Sequence, residues 1–125
     1  MNEALNTLES LIVYGYDERE VTIGTVKIKL APLTSGETID VYEISSQYND
    51  IDASIQSLKL ETISRSIISA GGIRFDPEGM LEKKRQVISK FGDELLELLF
   101  KEYCELDKSM KMSVEKLEDG KVRIK

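Results

Sequence analysis

Histidine is absent from the 125 residues. That removes Ser-His and Cys-His nucleophile pairs and every histidine metal site at once. Cysteine occurs once, as Cys104, so no internal disulfide can form and no cysteine-based structural zinc site can be assembled. Its apolar surroundings mark it as a small core residue in a chain suited to a reducing compartment. No apolar run approaches membrane-spanning length. The opening stretch MNEALNTLESLIVYGY carries acids and no early basic residue, which does not fit a secretory signal. The phosphate-cradling patterns G-x-x-x-x-G-K-[ST] and G-x-G-x-x-G are missing as well. Positive charge is in short supply, leaving a net charge of −6. Phosphate backbones repel such a chain, and the basic patches (Lys83, Lys84, Arg85; Lys121, Arg123, Lys125) are short.

What is present suits one domain with a modest core: 41% of residues are apolar and 32% are charged. The stretch VTIGTVKIKL carries its apolar residues at odd positions first (Val21, Ile23) and at even positions afterwards (Val26, Ile28, Leu30). A turn at Gly24-Thr25 resolves the conflict. It sets Ile23 opposite Val26, Val21 opposite Ile28 and Arg19 opposite Leu30, and merges the two sets into one face. Glycine at the first loop position is what a type II′ turn requires. The expected hairpin spans residues 19–31, and Pro32 ends it.

Thr34-Ser35-Gly36-Glu37 forms a capping box, which predicts a helix over about 35–48. A second helix is expected over 50–70. Ile51, Ile55 and Leu58 lie on one face of it and Leu60, Ile63 and Ile67 on another, so it should pack centrally, with Gly71-Gly72 as its stop. Ile73-Arg74-Phe75 reads as extended. Asp76-Pro77 reads as the cap and first residue of a third helix over 77–90. The fourth, over 93–108, carries Leu95, Leu96, Leu98, Leu99, Phe100, Tyr103 and Leu106 around roughly half its circumference. Residues 1–18 read as an N-terminal arm or short helix, 19–107 as a single globular domain and 109–125 as a charged tail. The fold class is α+β, an N-terminal β-hairpin packed on a bundle of about four helices.

Candidate chemistry is thin. The acidic groups Asp17, Glu18, Glu20 and Asp93, Glu94, Glu97 sit beside the hairpin and at a helix start, where acids have ordinary roles. Asp50, Asp52, Ser54 and Glu61 match positions 1, 3, 5 and 12 of a calcium loop, but Ile55 stands where the sharp turn needs glycine. These residues read as a helix cap and solvated helical positions. No catalytic, cofactor-binding or metal-ligating residues are assigned, and no enzymatic activity is expected. The residue types that anchor interfaces point instead to Tyr14, Tyr16, Phe100 and Tyr103 as partner-binding candidates.

The order of parts carries a resemblance. A hairpin ending in KIKLAPLTSGE leads to a helix; a long helix, SLKLETISRSIISAGGIRF, closes on Gly-Gly; a further helical pair ends in DELLELLFKEYCEL. This arrangement resembles the small tail-assembly proteins of tailed bacteriophages, the tail assembly chaperones and related small baseplate or hub proteins, over residues 19–107. The resemblance implies no catalytic residues and no cofactor. It implies binding to tape-measure, tail-tube or baseplate subunits, possible self-association, and a place in the bacterial host cytoplasm during assembly or in the virion tail. The competing expectation is a small helical nucleic-acid-binding regulator with a helix-turn-helix across Gly71-Gly72 or Gly92. The acids at the start of its second helices (Asp76, Glu78; Asp93, Glu94) oppose that reading.

Overall fold

The structure is a computed structural model that describes residues 2–13 and 16–124, with side chains through Asp119. The element order is α1 (Glu3–Glu9), β1 (Arg19–Ile23), β2 (Val26–Leu30), α2 (Ser35–Ser45), α3 (Ile51–Ser66), β3 (Ile67–Ala70), β4 (Ile73–Arg74), α4 (Leu81–Ile88), α5 (Asp93–Cys104) and α6 (Lys108–Ile124). The class is α+β: one antiparallel sheet, in the order β1-β2-β3-β4, lies against the helices.

The first hairpin has the register that the apolar parity switch requires: Ile23 pairs with Val26, Val21 with Ile28 and Arg19 with Leu30. Gly24 has φ 62°, and no non-glycine residue, Thr25 included, has positive φ among the described residues, which is the φ pattern of a type II′ turn. Val21, Ile28 and Leu30 are buried, whereas Val26 lies at the exposed tip of the shared face.

The sheet is larger than the sequence suggested. The helix expected to reach residue 70 ends at Ser66, and Ile67–Ala70 pairs with the free edge of β2. Ile67 and Ser69 are buried while Ile68 and Ala70 are half-buried, the two-residue alternation of a strand. A shift in register between Lys29 and Leu30 accommodates an extra residue, a bulge. Ser66 fastens the junction: its carbonyl accepts the Ala31 amide at 2.9 Å and its hydroxyl donates to the Ala31 carbonyl at 2.8 Å. Gly71-Gly72 therefore turns a second hairpin rather than stopping a helix. Both glycines have positive φ, 62° and 83°, as a type I′ turn demands.

Two further boundaries move. The third helix starts at Leu81, not at Pro77, because Gly79 adopts φ 76°, and a right-handed helix cannot run through a left-handed residue. The residues expected to form a charged tail form α6. Met110, Val114 and Leu117 recur at helical spacing and pack onto the core, and the Asp107 carboxylate accepts the Met110 amide at 3.1 Å at the helix start. Asp119-Gly120 lies within that helix.

The central position of α3 stands: it packs against α2, α4, α5 and α6. The core is built around Leu30, Val41, Leu58, Ile63, Leu99, Tyr103 and Met110. The capping box of α2 forms in full, with the Glu37 amide donating to Thr34 Oγ1 at 3.2 Å and the Thr34 amide donating to Glu37 Oε1 at 2.9 Å. No helix among the described residues is long and apolar enough to cross a membrane.

The hairpin makes a direct prediction. A Cβ at Gly24 meets no atom within 4 Å, so a substitution there reports backbone strain alone. Gly24→Val should cost about 1–3 kcal/mol, read as a lowered denaturant midpoint at unchanged slope. A midpoint equal to wild type would contradict the turn geometry.

Candidate functional site

The four aromatic candidates separate. Tyr14 lies outside the described residues. Tyr16 is exposed, and its hydroxyl donates to Glu18 Oε2 at 2.8 Å. Glu18 in turn holds Arg74 Nη2 at 3.3 Å, so Tyr16 stands at a polar clasp joining the root of the N-terminal arm to β4. Partial burial, then the neighbouring Glu18, raise the Tyr16 pKa.

Phe100 and Tyr103 are core residues, 4% and 0% exposed. Their rings stack at 6.5 Å. The Tyr103 hydroxyl accepts the Leu33 amide at 3.0 Å and donates to Asp107 Oδ2 at 3.1 Å, tying the chain after β2 to the α5–α6 junction. The wide apolar surface of α5 packs against β1, α3 and α6 of the same chain.

The acidic groups are likewise engaged within the fold. Glu20 pairs with Lys27 at 3.7 Å, Asp93 accepts from Gln56 Nε2 at 3.1 Å, and Glu97 holds Lys59. The residues of the calcium-like spacing are helical: Asp50 caps α3 and Asp52 lies in its first turn. Glu61 faces α4. Arg85 grips it as a fork, Nε to Oε2 at 2.9 Å and Nη2 to Oε1 at 2.8 Å, and Arg65 Nη1 adds a bond to Oε1 at 2.6 Å. Burial pushes the Glu61 pKa upward, but the hydrogen bonds from Arg85 and Arg65 prevail and hold it below the ordinary glutamate value. Sequence reasoning missed this cluster, because Arg85 lies 24 residues from Glu61 and only the Arg65 spacing of four is visible locally. Burial, then nearby Asp107, push the Cys104 thiol up to about 11, so little thiolate exists near neutrality and the residue is unsuited to nucleophilic work.

Two of the concavities are lined by several cations. One, about 490 Å³, is lined by Arg65, Arg74 and Lys84. Each cation there has a partner in the chain: Glu61, Glu18 and, for Lys84, the Ile67 carbonyl at 2.8 Å, with the Phe75 ring 5.4 Å away. The other is a groove of about 690 Å³ between α5 and α6. Phe100, Cys104 and Val114 form its floor, Met112 stands exposed on its lip, and lysines and glutamates line its banks. Among the described residues no cluster of three or more Cys, Asp or Glu is arranged to hold a metal ion.

The N-terminal arm is the other surface feature, and it was not among the candidate residues apart from its tyrosines. α1 buries no residue of its own. Leu5, Leu8, Leu11, Ile12 and Val13 each expose more than half of their surface. Bonds from the Leu11 amide to the Leu8 carbonyl and from the Ile12 amide to the Glu9 carbonyl, both 3.0 Å, carry the winding beyond Glu9. At about 100° per residue, Ala4, Leu5, Leu8, Leu11 and Ile12 fall on one stripe, opposite Asn6, Thr7 and Ser10. No protein-family model, no curated protein and no solved structure matches this chain.

The Glu61 cluster predicts both a mutational and a pH effect. Glu61→Gln leaves two guanidinium groups under-compensated and should cost about 3 kcal/mol by chemical denaturation. Because the folded pKa is depressed, the carboxylate's contribution is complete above the unfolded value of about 4.3 and is lost as pH falls through the lower folded value. Thermal melts should therefore decline steeply below about pH 4 in the wild type and less steeply in Glu61→Gln. Parallel curves would assign the acid sensitivity to other groups.

The aromatic residues predict a contrast. Phe100→Ala and Tyr103→Ala should each lose about 3–5 kcal/mol of stability, whereas Tyr16→Ala should lose less than about 1 kcal/mol. Equal losses at all three would contradict the different placement of Tyr16.

Proposed function

We propose that this chain is a non-enzymatic tail protein of a bacteriophage that acts by binding other proteins, as a tail assembly chaperone or as a small baseplate or tail component. The observation that carries the binding half of this reading is the arm. An amphipathic segment with its apolar stripe in water is an element suited to seating in the groove of a partner, the way amphipathic helices bind generally. A helix of seven residues is too short to be stable in isolation, so it gains most of its order from whatever it docks on. The order of parts over residues 19–107 supports the phage half. The partners would be tape-measure, tail-tube or baseplate subunits, met in the host cytoplasm during assembly or retained in the virion tail.

The test is co-expression with the tape-measure, tail-tube and baseplate proteins encoded beside this chain's gene. At least one should co-purify with the wild type. The double substitution Leu5→Asp with Leu8→Asp should abolish that co-purification while the melting temperature stays within about 2 °C, since neither residue is buried. Mass spectrometry of purified particles then separates the two roles: a chaperone is absent from the particle and a component is present. Failure of every tail protein to co-purify, together with absence from particles, would overturn the reading.

A further inference from the structure

We propose that the cleft beside Lys84 binds a carboxylate carried on an apolar body, with a free edge of Arg65 gripping the carboxylate and Lys84 adding a second cation. This goes beyond the phage reading and does not rest on it. The carboxylate belongs to a small organic acid or to the end of a peptide chain, and the chemistry of recognition is the same for both. The cleft, about 490 Å³, opens between the start of α2, the α3–β3 junction and the start of α4.

Arg65 is the anchor. Its side chain is only 6% exposed. Its Nη1 donates to the Glu61 carboxylate at 2.6 Å and to the Glu61 carbonyl at 3.1 Å. Nε and Nη2 make no hydrogen bond among the described residues. Neither is sealed in the interior, where only Ser45 Oγ and Thr62 Oγ1 lack partners among the described residues, so both keep an opening, and Arg65 lines this cleft. Nε and Nη2 form one edge of the guanidinium, whose two parallel N–H groups match the two oxygens of a carboxylate. Arg85 shows the geometry within the same chain, since it grips Glu61 with that edge at 2.9 and 2.8 Å. In Arg65 the same edge is withdrawn from water and has no acceptor, which is the state a buried donor ordinarily avoids.

Lys84 supplies the second charge. Its Nζ donates to a neutral partner, the Ile67 carbonyl at 2.8 Å, and forms no ion pair among the described residues. Burial lowers its pKa; Glu37 opposes that and the Arg65 charge adds to it, so the two cations feel one another across the cleft. A carboxylate between them relieves both. Two acids also line the cleft, and they limit the charge of the ligand. Glu37 is held at the α2 cap by the Thr34 amide, and Asp76 is exposed. Their charges oppose a dianion such as phosphate more than a single carboxylate. Phe75, Met80 and Leu81 supply an apolar wall for the rest of the ligand.

The test is an NMR titration of the isotopically labelled full chain with phenylacetate, with phenylacetamide as the uncharged control. The acid should shift the Phe75 and Lys84 side-chain signals saturably and bind at least about tenfold tighter than the amide. Bound acid should also raise the Lys84 pKa, read from its side-chain carbon shifts against pH. Arg65→Lys keeps a cation beside Glu61 but lacks the two-pronged edge, and Lys84→Met keeps the stem without the charge. Each should weaken the acid at least about tenfold, with a thermal melt to check folding. The comparison of acid with amide on the wild type stands whatever the variants do to stability. A tripeptide ending in free phenylalanine, set against its C-terminal amide, forms the second arm. Tighter binding by the tripeptide assigns the carboxylate to a chain end, and tighter binding by phenylacetate assigns it to a small acid. No saturable shift from either acid at about 10 mM, equal binding of acid and amide, or binding unmoved in both folded variants would each overturn the site.

Discussion

The structure depends on α3 being surrounded by protein while carrying charge. A helix enclosed by α2, α4, α5 and α6 would ordinarily be apolar all round, yet Lys59, Glu61, Thr62, Ser64 and Ser66 of this one are buried. An unpaired charge in that position would cost several kcal/mol, so each neighbour must bring a matching group to a fixed place. α4 brings Arg85 to Glu61 and α5 brings Glu97 to Lys59. Ser66 spends its hydroxyl on Ala31 at the end of β2, and Ser64 returns its own to the Leu60 carbonyl at 2.7 Å. Hydrophobic burial is non-directional, whereas these pairs are directional, so they set where each element sits around α3. Thr62 Oγ1 is the exception: it is buried without a partner among the described residues, a local cost the rest of the packing absorbs.

The sheet is attached to this helix by continuity as much as by contact. α3 runs into β3 without a loop, and β3 occupies the edge of β2 that the first hairpin leaves open. Two hairpins then share one sheet, and Tyr103 closes the circuit by bonding both the Leu33 amide and Asp107. The first hairpin, α5 and the start of α6 are therefore positioned by one side chain, and its burial explains why an apparently excellent interface tyrosine has no surface to offer.

The parts legible in the sequence were those whose cause is local. The parity switch around Gly24-Thr25 specifies a turn because no other conformation puts Val21, Ile23, Ile28 and Leu30 on one face. Thr34 and Glu37 specify a helix start because both halves of the capping box lie within four residues. The parts that were illegible depend on distant partners. Ile67–Ala70 continues a helical pattern well enough, and only the vacant edge of β2 makes it a strand. Met110, Val114 and Leu117 were hidden among charges, although Asp107 followed by that spacing is a helix signal in retrospect. The burial of two candidates, Phe100 and Tyr103, was illegible for a related reason. Phe100 and Tyr103 were chosen because α5 is apolar over half its circumference, and a sequence does not say how many neighbours share that circumference. Glu61 drew notice for its spacing from Asp50, while its actual partner sits on α4.

The arm stands apart from this economy, and the separation has a consequence. Every element from β1 to α6 contributes to one core or pairs in one sheet, whereas α1 contributes nothing buried. The exposed apolar residues of the arm therefore lie on a different segment from the residues that hold the fold. In proteins whose binding surface is also a core element, gain in affinity trades against stability; here Leu5, Leu8, Leu11 and Ile12 can be changed without touching α3 or the sheet. The reverse also holds. The clasp of Tyr16, Glu18 and Arg74 and the bond from Arg19 to Glu102 fix where the arm leaves the body but not what the arm touches. An element tethered at one end, amphipathic and too short to hold its own helix, gains order only from what it packs against.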